Sequence, residues 1–131
     1  MTRIIAVANQ KGGVGKTTSS ISLAACLAEG TALNSAEMPI ASLEVDLDAQ
    51  GNATSGLGID KSSLERCLYD ALINHTELEE IIQPTAWKDL WVAPATMNLA
   101  GAEIDLIEKK GEHRQIILPT IFREGETIAV R

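Results

Sequence analysis

Within seven residues the chain gathers three glycines and two lysines, Lys11-Gly12-Gly13-Val14-Gly15-Lys16-Thr17. A run of small residues that turns its backbone N–H groups inward makes an anion cradle, and a helix starting behind it adds its positive N-terminal end. Gly12, Gly13 and Gly15 keep side chains clear of phosphate oxygens, and Val14 completes the cradle. Lys16 is expected to reach the β- and γ-phosphates as a point charge. The Thr17 hydroxyl is expected to ligate Mg²⁺, and Thr18 to bind the α-phosphate from the first helical turn. The strict pattern G-x-x-x-x-G-K-[ST] requires glycine where Gln10 stands, so the motif is the variant K-G-G-x-G-K-T with an added Lys11. The competing reading is a glycine-rich turn that meets a helix by accident.

The flanking elements argue against accident. Residues 3–8 are almost wholly apolar and rich in β-branched side chains, which predicts a central strand buried on both faces. After the loop, Ile21, Ala24, Ala25 and Ala28 recur at helical spacing, and Gly30 is a natural stop, so a helix is expected from Lys16 to Glu29. A second strand is predicted at residues 42–47, where Glu44 is costly to bury alone. It runs into Asp46-Leu47-Asp48, a pair of carboxylates that is either a phosphate-site feature or a solvated strand end.

Further along, Ser62-Ser63-Leu64-Glu65 reads as a capping box ahead of a helix whose inner face holds Leu64, Cys67, Leu68, Ala71 and Leu72. Thr76 to Glu79 repeats the pattern, and Pro84 closes that short helix. A third strand is predicted at residues 90–93 and a helix at 97–110, with Leu99, Ala102, Leu106 and Ile107 inward. Residues 116–118 and 127–130 are candidate strands, paired through a turn near Gly125.

Composition bounds the partners. At 131 residues the chain has room for one domain, and at 45% hydrophobic it is too apolar for disorder. Its net charge of −7 does not exclude nucleic acid, but counterion release needs clustered Lys and Arg. The nearest approach, Lys109, Lys110, His113 and Arg114, is broken by Glu112 and reads as a solvated helix end. Direct DNA binding by this chain is therefore not expected. Cys26 and Cys67 have no metal spacing and read as buried thiols. His75 and His113 read as surface residues. With no membrane-length apolar run and no signal peptide, the chain reads as cytoplasmic, and the sequon Asn52-Ala53-Thr54 as chance.

The stretch from Ile4 through Thr18, together with Asp46-Leu47-Asp48-x-Gln50-Gly51-Asn52-Ala53-Thr54-Ser55-Gly56-Leu57-Gly58, resembles the ParA/Soj branch of the deviant Walker A ATPases. Residues 78–85 and Pro94-Ala95-Thr96-x-x-Leu99-Ala100-Gly101-Ala102-Glu103 look like that branch too. The resemblance covers residues 1–29 and about 45–110. It implies an α/β fold, a three-layer P-loop NTPase-like parallel sheet with flanking helices, here stopping before the Walker B strand. Residues 1–110 are then the N-terminal part of the ATPase domain, with a divergent insertion at 30–44, and residues 111–131 are a divergent tail.

The resemblance also implies roles. Lys11 matches a lysine that crosses a nucleotide-sandwich dimer to the partner's phosphates, Asp48 a residue that positions the attacking water, and Asp46 a neighbour of the Mg²⁺ shell. ATP and Mg²⁺ are the implied cofactors, and DNA segregation with a ParB-like protein, non-specific DNA and an ATP-dependent homodimer is the implied setting. Two departures stand out: Ala49 replaces the family's proline after Asp48, and no apolar strand ending in Asp follows Gly111. A sheet without that strand leaves the first strand short of a partner, so the chain alone is expected to be marginally stable. A nucleotide-binding fragment without turnover, or an inactive remnant, remains the alternative.

Overall fold

The computed structural model describes residues 3–9, 11–30, 39–108 and 127–130. Five strands, β1 (Ile4–Ala6), β2 (Ser42–Val45), β3 (Gln83–Pro84), β4 (Leu90–Ala93) and β5 (Thr127–Val130), form one sheet in the order β1-β5-β2-β4-β3. All neighbours are parallel except the short edge strand β3, which runs antiparallel to β4. Four helices accompany them: α1 (Lys16–Glu29), α2 (Asn52–Gly56), α3 (Leu68–Ile73) and α4 (Leu99–Glu108).

Register sorts the sheet into two faces. Ser42 pairs with Leu90 and Glu44 with Val92, while Leu43 pairs with Trp91 and Val45 with Ala93. Successive side chains point to opposite sides. Leu90 and Val92 therefore meet Ala24, Ala28 and Leu57 on one side. Leu43, Val45 and Ala93 meet Leu68, Ile73, Leu99 and Ala102 on the other. The result is helix, sheet and helix in three layers, the α/β architecture that the sequence implies.

Helix α1 begins and ends as the glycines dictate. Gly15 and Gly30 flank it with φ of 87° and 73°, left-handed values that only glycine adopts without strain. Its buried stripe is Ser20, Ala24 and Ala28, spaced four apart. Small residues there let the helix lie close against β2 and β4. Cys26 falls off this stripe and is exposed, whereas Cys67 is buried, so the expected pair of buried thiols is half right. Glu44 is fully buried in β2, and the Ser20 hydroxyl of α1 donates to its Oε1 at 2.5 Å.

Three expectations need correction. Among the described residues β1 pairs with β5 alone and Ile4 is 53% exposed, where burial on both faces was expected. An apolar run reports that a strand is hydrophobic but not which neighbours cover it. β5 does not fold back as a hairpin; it lies parallel between β1 and β2, pairing Ile4 with Ile128 and Leu43 with Ile128 from either side. It fills the place beside β1 that was expected to lack a strand, although its sequence Thr-Ile-Ala-Val carries no carboxylate. The candidate strand at 116–118 lies outside the described residues.

The helix expected from Ser62 does not start there either. Asp60 accepts hydrogen bonds from the Ser62 amide and hydroxyl at 2.9 and 2.6 Å, capping a single 3₁₀ turn at Lys61–Ser63. The helix waits until Leu68, where the Asp70 carboxylate accepts the Cys67 amide. Similarly, Leu78–Glu80 is one 3₁₀ turn, and Pro84 belongs to β3. In α4, Leu99 and Ala102 are buried as expected. Among the described residues, no helix is long and apolar enough to cross a membrane.

Candidate nucleotide-binding site

Because β1, β5, β2 and β4 are parallel, their C-terminal ends share one edge of the sheet, where ligands of open α/β sheets bind. At that edge β1 leads into residues 7–9 and the glycine loop, and β2 into Asp46 and Asp48. Between them lies an open cleft of about 510 Å³, lined by Asn9, Gly12, Gly13, Lys16, Asp48 and Asn52 among others. The accident reading of the glycine loop fails here. A strand, a loop and a helix start meet in one concavity, with a lysine and a carboxylate on its walls.

The loop holds itself open. The Asn9 side chain accepts the Lys11 amide at 2.9 Å, a local turn that steers the chain out of β1. Gly13 and Gly15 take left-handed conformations. A Cβ at Gly12 or Gly13 would meet nothing within 4 Å. Packing therefore does not demand glycine at Gly12; the absence of side chains leaves free space above the backbone, as an anion cradle needs. No side chain caps the start of α1, so its first N–H groups are not satisfied by a capping residue. The Lys16 ammonium lines the cleft and donates to the Lys11 carbonyl at 2.9 Å. Thr17 is half-buried, and Lys11, Val14 and Thr18 are exposed. A triphosphate with Mg²⁺ fits this donor set: backbone amides and Lys16 for the anion, with the Thr17 hydroxyl near the helix start as the hard oxygen ligand.

The two aspartates are placed differently. Asp48 lines the cleft. Asp46 is wholly buried. Its Oδ1 accepts the Asp48 amide at 3.1 Å, and its Oδ2 accepts the Thr54 amide at 2.9 Å and hydroxyl at 2.7 Å. The Thr54 hydroxyl in turn accepts the Ala95 amide just after β4 at 2.9 Å. Asp46 is thus a strut of the loop, with both oxygens engaged inside the protein, and the geometry gives no support to its expected place in a magnesium shell. Among the described residues no group of three or more His, Cys, Asp or Glu side chains could hold a metal ion.

Thr54 and Lys61 escaped sequence reasoning. Thr54 stood in the sequence only within the resemblance stretch and at the end of the sequon, with no role of its own. Lys61 donates to the Gln50 carbonyl at 2.6 Å, a contact with no sequence signature. His75 is exposed, as expected; His113 and the basic run around it lie outside the described residues.

This fold and cleft define an α/β domain of the P-loop nucleotide-binding class. The chain matches the family model of an AAA domain over residues 2–126 and belongs to that family, as a member of the ParA/Soj type. It is similar to the sporulation initiation inhibitor protein Soj of Bacillus subtilis, at 49% identity over 95% of this chain and 42% of that protein. It is likewise similar to the chromosome partitioning protein ParA of Myxococcus xanthus, at 49% identity over 82% of this chain and 35% of that protein. The chain therefore spans less than half the length of these curated relatives. Among solved structures, cobyrinic acid a,c-diamide synthase of Mycobacterium smegmatis with bound ADP and magnesium superposes with a TM-score of 0.85 at 33% identity. That match covers 99% of this chain and 50% of the other.

Proposed function

We propose that this chain is the phosphate- and magnesium-binding part of a ParA-type ATPase that acts in DNA segregation. The observation that carries the reading is the cleft in which Lys16, Gly12, Gly13 and Asp48 converge at the C-terminal edge of the sheet. The glycine loop and Lys16 bind the β- and γ-phosphates of ATP. The Thr17 hydroxyl ligates Mg²⁺, which neutralises phosphate charge when bound. Thr18 holds the α-phosphate, and Asp48 orients the attacking water. Lys11, exposed at the rim of the loop, reaches the nucleotide of a second protomer and offsets charge that develops during transfer. A ParB-like partner, non-specific DNA and an ATP-dependent homodimer in the cytoplasm are the setting that the family resemblance implies, and the similarity to a chromosome partitioning protein supports the segregation role.

The alternative reading is nucleotide binding without turnover. Mg·ATP affinity and turnover, measured against Lys16→Ala, separate the two. Turnover abolished by the substitution supports the ATPase, and binding without turnover supports the binding module. Absence of both, in a folded sample, refutes the proposal.

A further inference from the structure

We propose that Lys61 is a positioning residue for Asp48, acting through the main chain of the Gln50-Gly51 turn. The inference rests on the ATPase reading for its consequence but on local geometry for its substance. Asp48 sits in a turn tied at several points. Its amide donates to Asp46 at 3.1 Å, its Oδ1 accepts the Gln50 amide at 3.1 Å, and its carbonyl accepts the Gly51 amide at 2.8 Å. Inside the turn, Gly51 is left-handed with φ of 63°. A Cβ there would meet the Ala95 carbonyl at 2.6 Å and Lys61 Cδ at 2.8 Å. The lysine stem thus lies flat over Gly51, and its ammonium ends on the Gln50 carbonyl at 2.6 Å. A charged donor makes this hydrogen bond stronger than a neutral one.

The far end of Lys61 is anchored as well. It opens the 3₁₀ turn capped by Asp60, whose carboxylate accepts Ser62 and whose carbonyl accepts the Ser63 hydroxyl. Ala49 adds the reason a clamp is useful. With alanine in this turn, φ is not fixed as a proline would fix it, so the unclamped turn samples more conformers. Lys61 adds a restraint from outside to the turn's own hydrogen bonds. Asp48 is then held on the wall of the cleft that Lys16 also lines before nucleotide arrives.

The test compares wild type with Lys61→Met, Lys61→Arg, Asp48→Ala and the Lys61→Met/Asp48→Ala double variant. Amide hydrogen exchange by NMR reads the clamp without any nucleotide. Lys61→Met is expected to speed exchange at Gln50 and Gly51 by about tenfold, leave the Thr54 and Ala95 amides unchanged, and be largely reversed in Lys61→Arg. With Mg·ATP, Lys61→Met is expected to lower turnover about tenfold while affinity stays within about twofold. It should have no further effect on turnover in the Asp48→Ala background. Unchanged exchange at Gln50 and Gly51 overturns the proposal, as does an affinity loss as large as the turnover loss. If wild type neither binds nor hydrolyses Mg·ATP, the ATPase reading fails, and the exchange pattern alone decides whether Lys61 holds the turn.

Discussion

The Thr54 hydroxyl lies 2.7 Å from a buried Asp46 oxygen and 2.9 Å from the Ala95 amide, so one side chain ties the end of β2 to the end of β4. The end of β2 leads into the cleft through Leu47 and Asp48. A buried carboxylate is tolerated only when donors satisfy it, and here those donors come from the first turns of α2 and from the Asp48 amide. The same bonds that make Asp46 acceptable therefore fix the path of the loop that carries Asp48.

Thr54→Val tests this link. Valine keeps the shape but removes one donor to Asp46 and strands the buried Ala95 amide. The expected loss is about 2–4 kcal/mol in urea unfolding, because hydrogen bonds to charged groups and unsatisfied buried donors are both costly. Thr54→Ser restores the hydroxyl and should recover most of it. A Thr54→Val variant as stable as wild type would mean that the hydroxyl bonds contribute nothing, and a Thr54→Ser variant as destabilised as Thr54→Val would mean that the methyl group matters as much as the hydroxyl.

Across the sheet, Ser20 and Glu44 are both fully buried, and the serine donates to the carboxylate. The sequence signals that Glu44 is uncomfortable in a strand, and the structure supplies the partner from the stripe of α1 that packs on β2. Ser20→Ala is expected to cost about 1–3 kcal/mol, the range for weakening the satisfaction of a buried polar group. Chemical denaturation monitored through Trp87 and Trp91 measures it. A variant as stable as wild type would show that the other surroundings of Glu44 suffice.

Where local chemistry settles the outcome, the sequence is a good guide. Gly15 and Gly30 bracket α1 because its ends need left-handed residues, and the apolar run at 90–93 is β4 to the residue. The glycine loop, read from its spacing, and Asp48, singled out by the family resemblance, lie together on the lining of one cleft at the sheet edge. Reading fails where tertiary partners decide. The apolar run before the loop cannot say which neighbours cover β1. Ser62 loses its role as a helix cap because Asp60, two residues earlier, takes its amide first. Asp46 and Asp48 look alike in sequence, yet Thr54, eight residues on, buries one as a strut and leaves the other facing the cleft.

Tyr69 and Asp105 link α3 to α4, the phenol donating to the carboxylate at 2.8 Å. That hydrogen bond, with the negative charges of Asp105 and Asp70 and partial loss of water, holds the phenol pKa above its ordinary value of 10.0. The protonated phenol is the favoured form, so the link contributes stability at pH values below the ordinary tyrosine range. The contribution is lost as pH rises through the raised titration of Tyr69 itself. Tyr69 is the single tyrosine of the chain, so ultraviolet absorbance of the phenolate reports it without overlap from another tyrosine. Asp105→Asn removes the charge and should bring the midpoint back toward the ordinary value, and the variant should lose less stability than wild type on the alkaline side. A wild-type midpoint that already sits at 10.0, and does not move in Asp105→Asn, would mean that α3 and α4 are joined by the apolar contacts of Leu68, Leu99 and Ala102 alone.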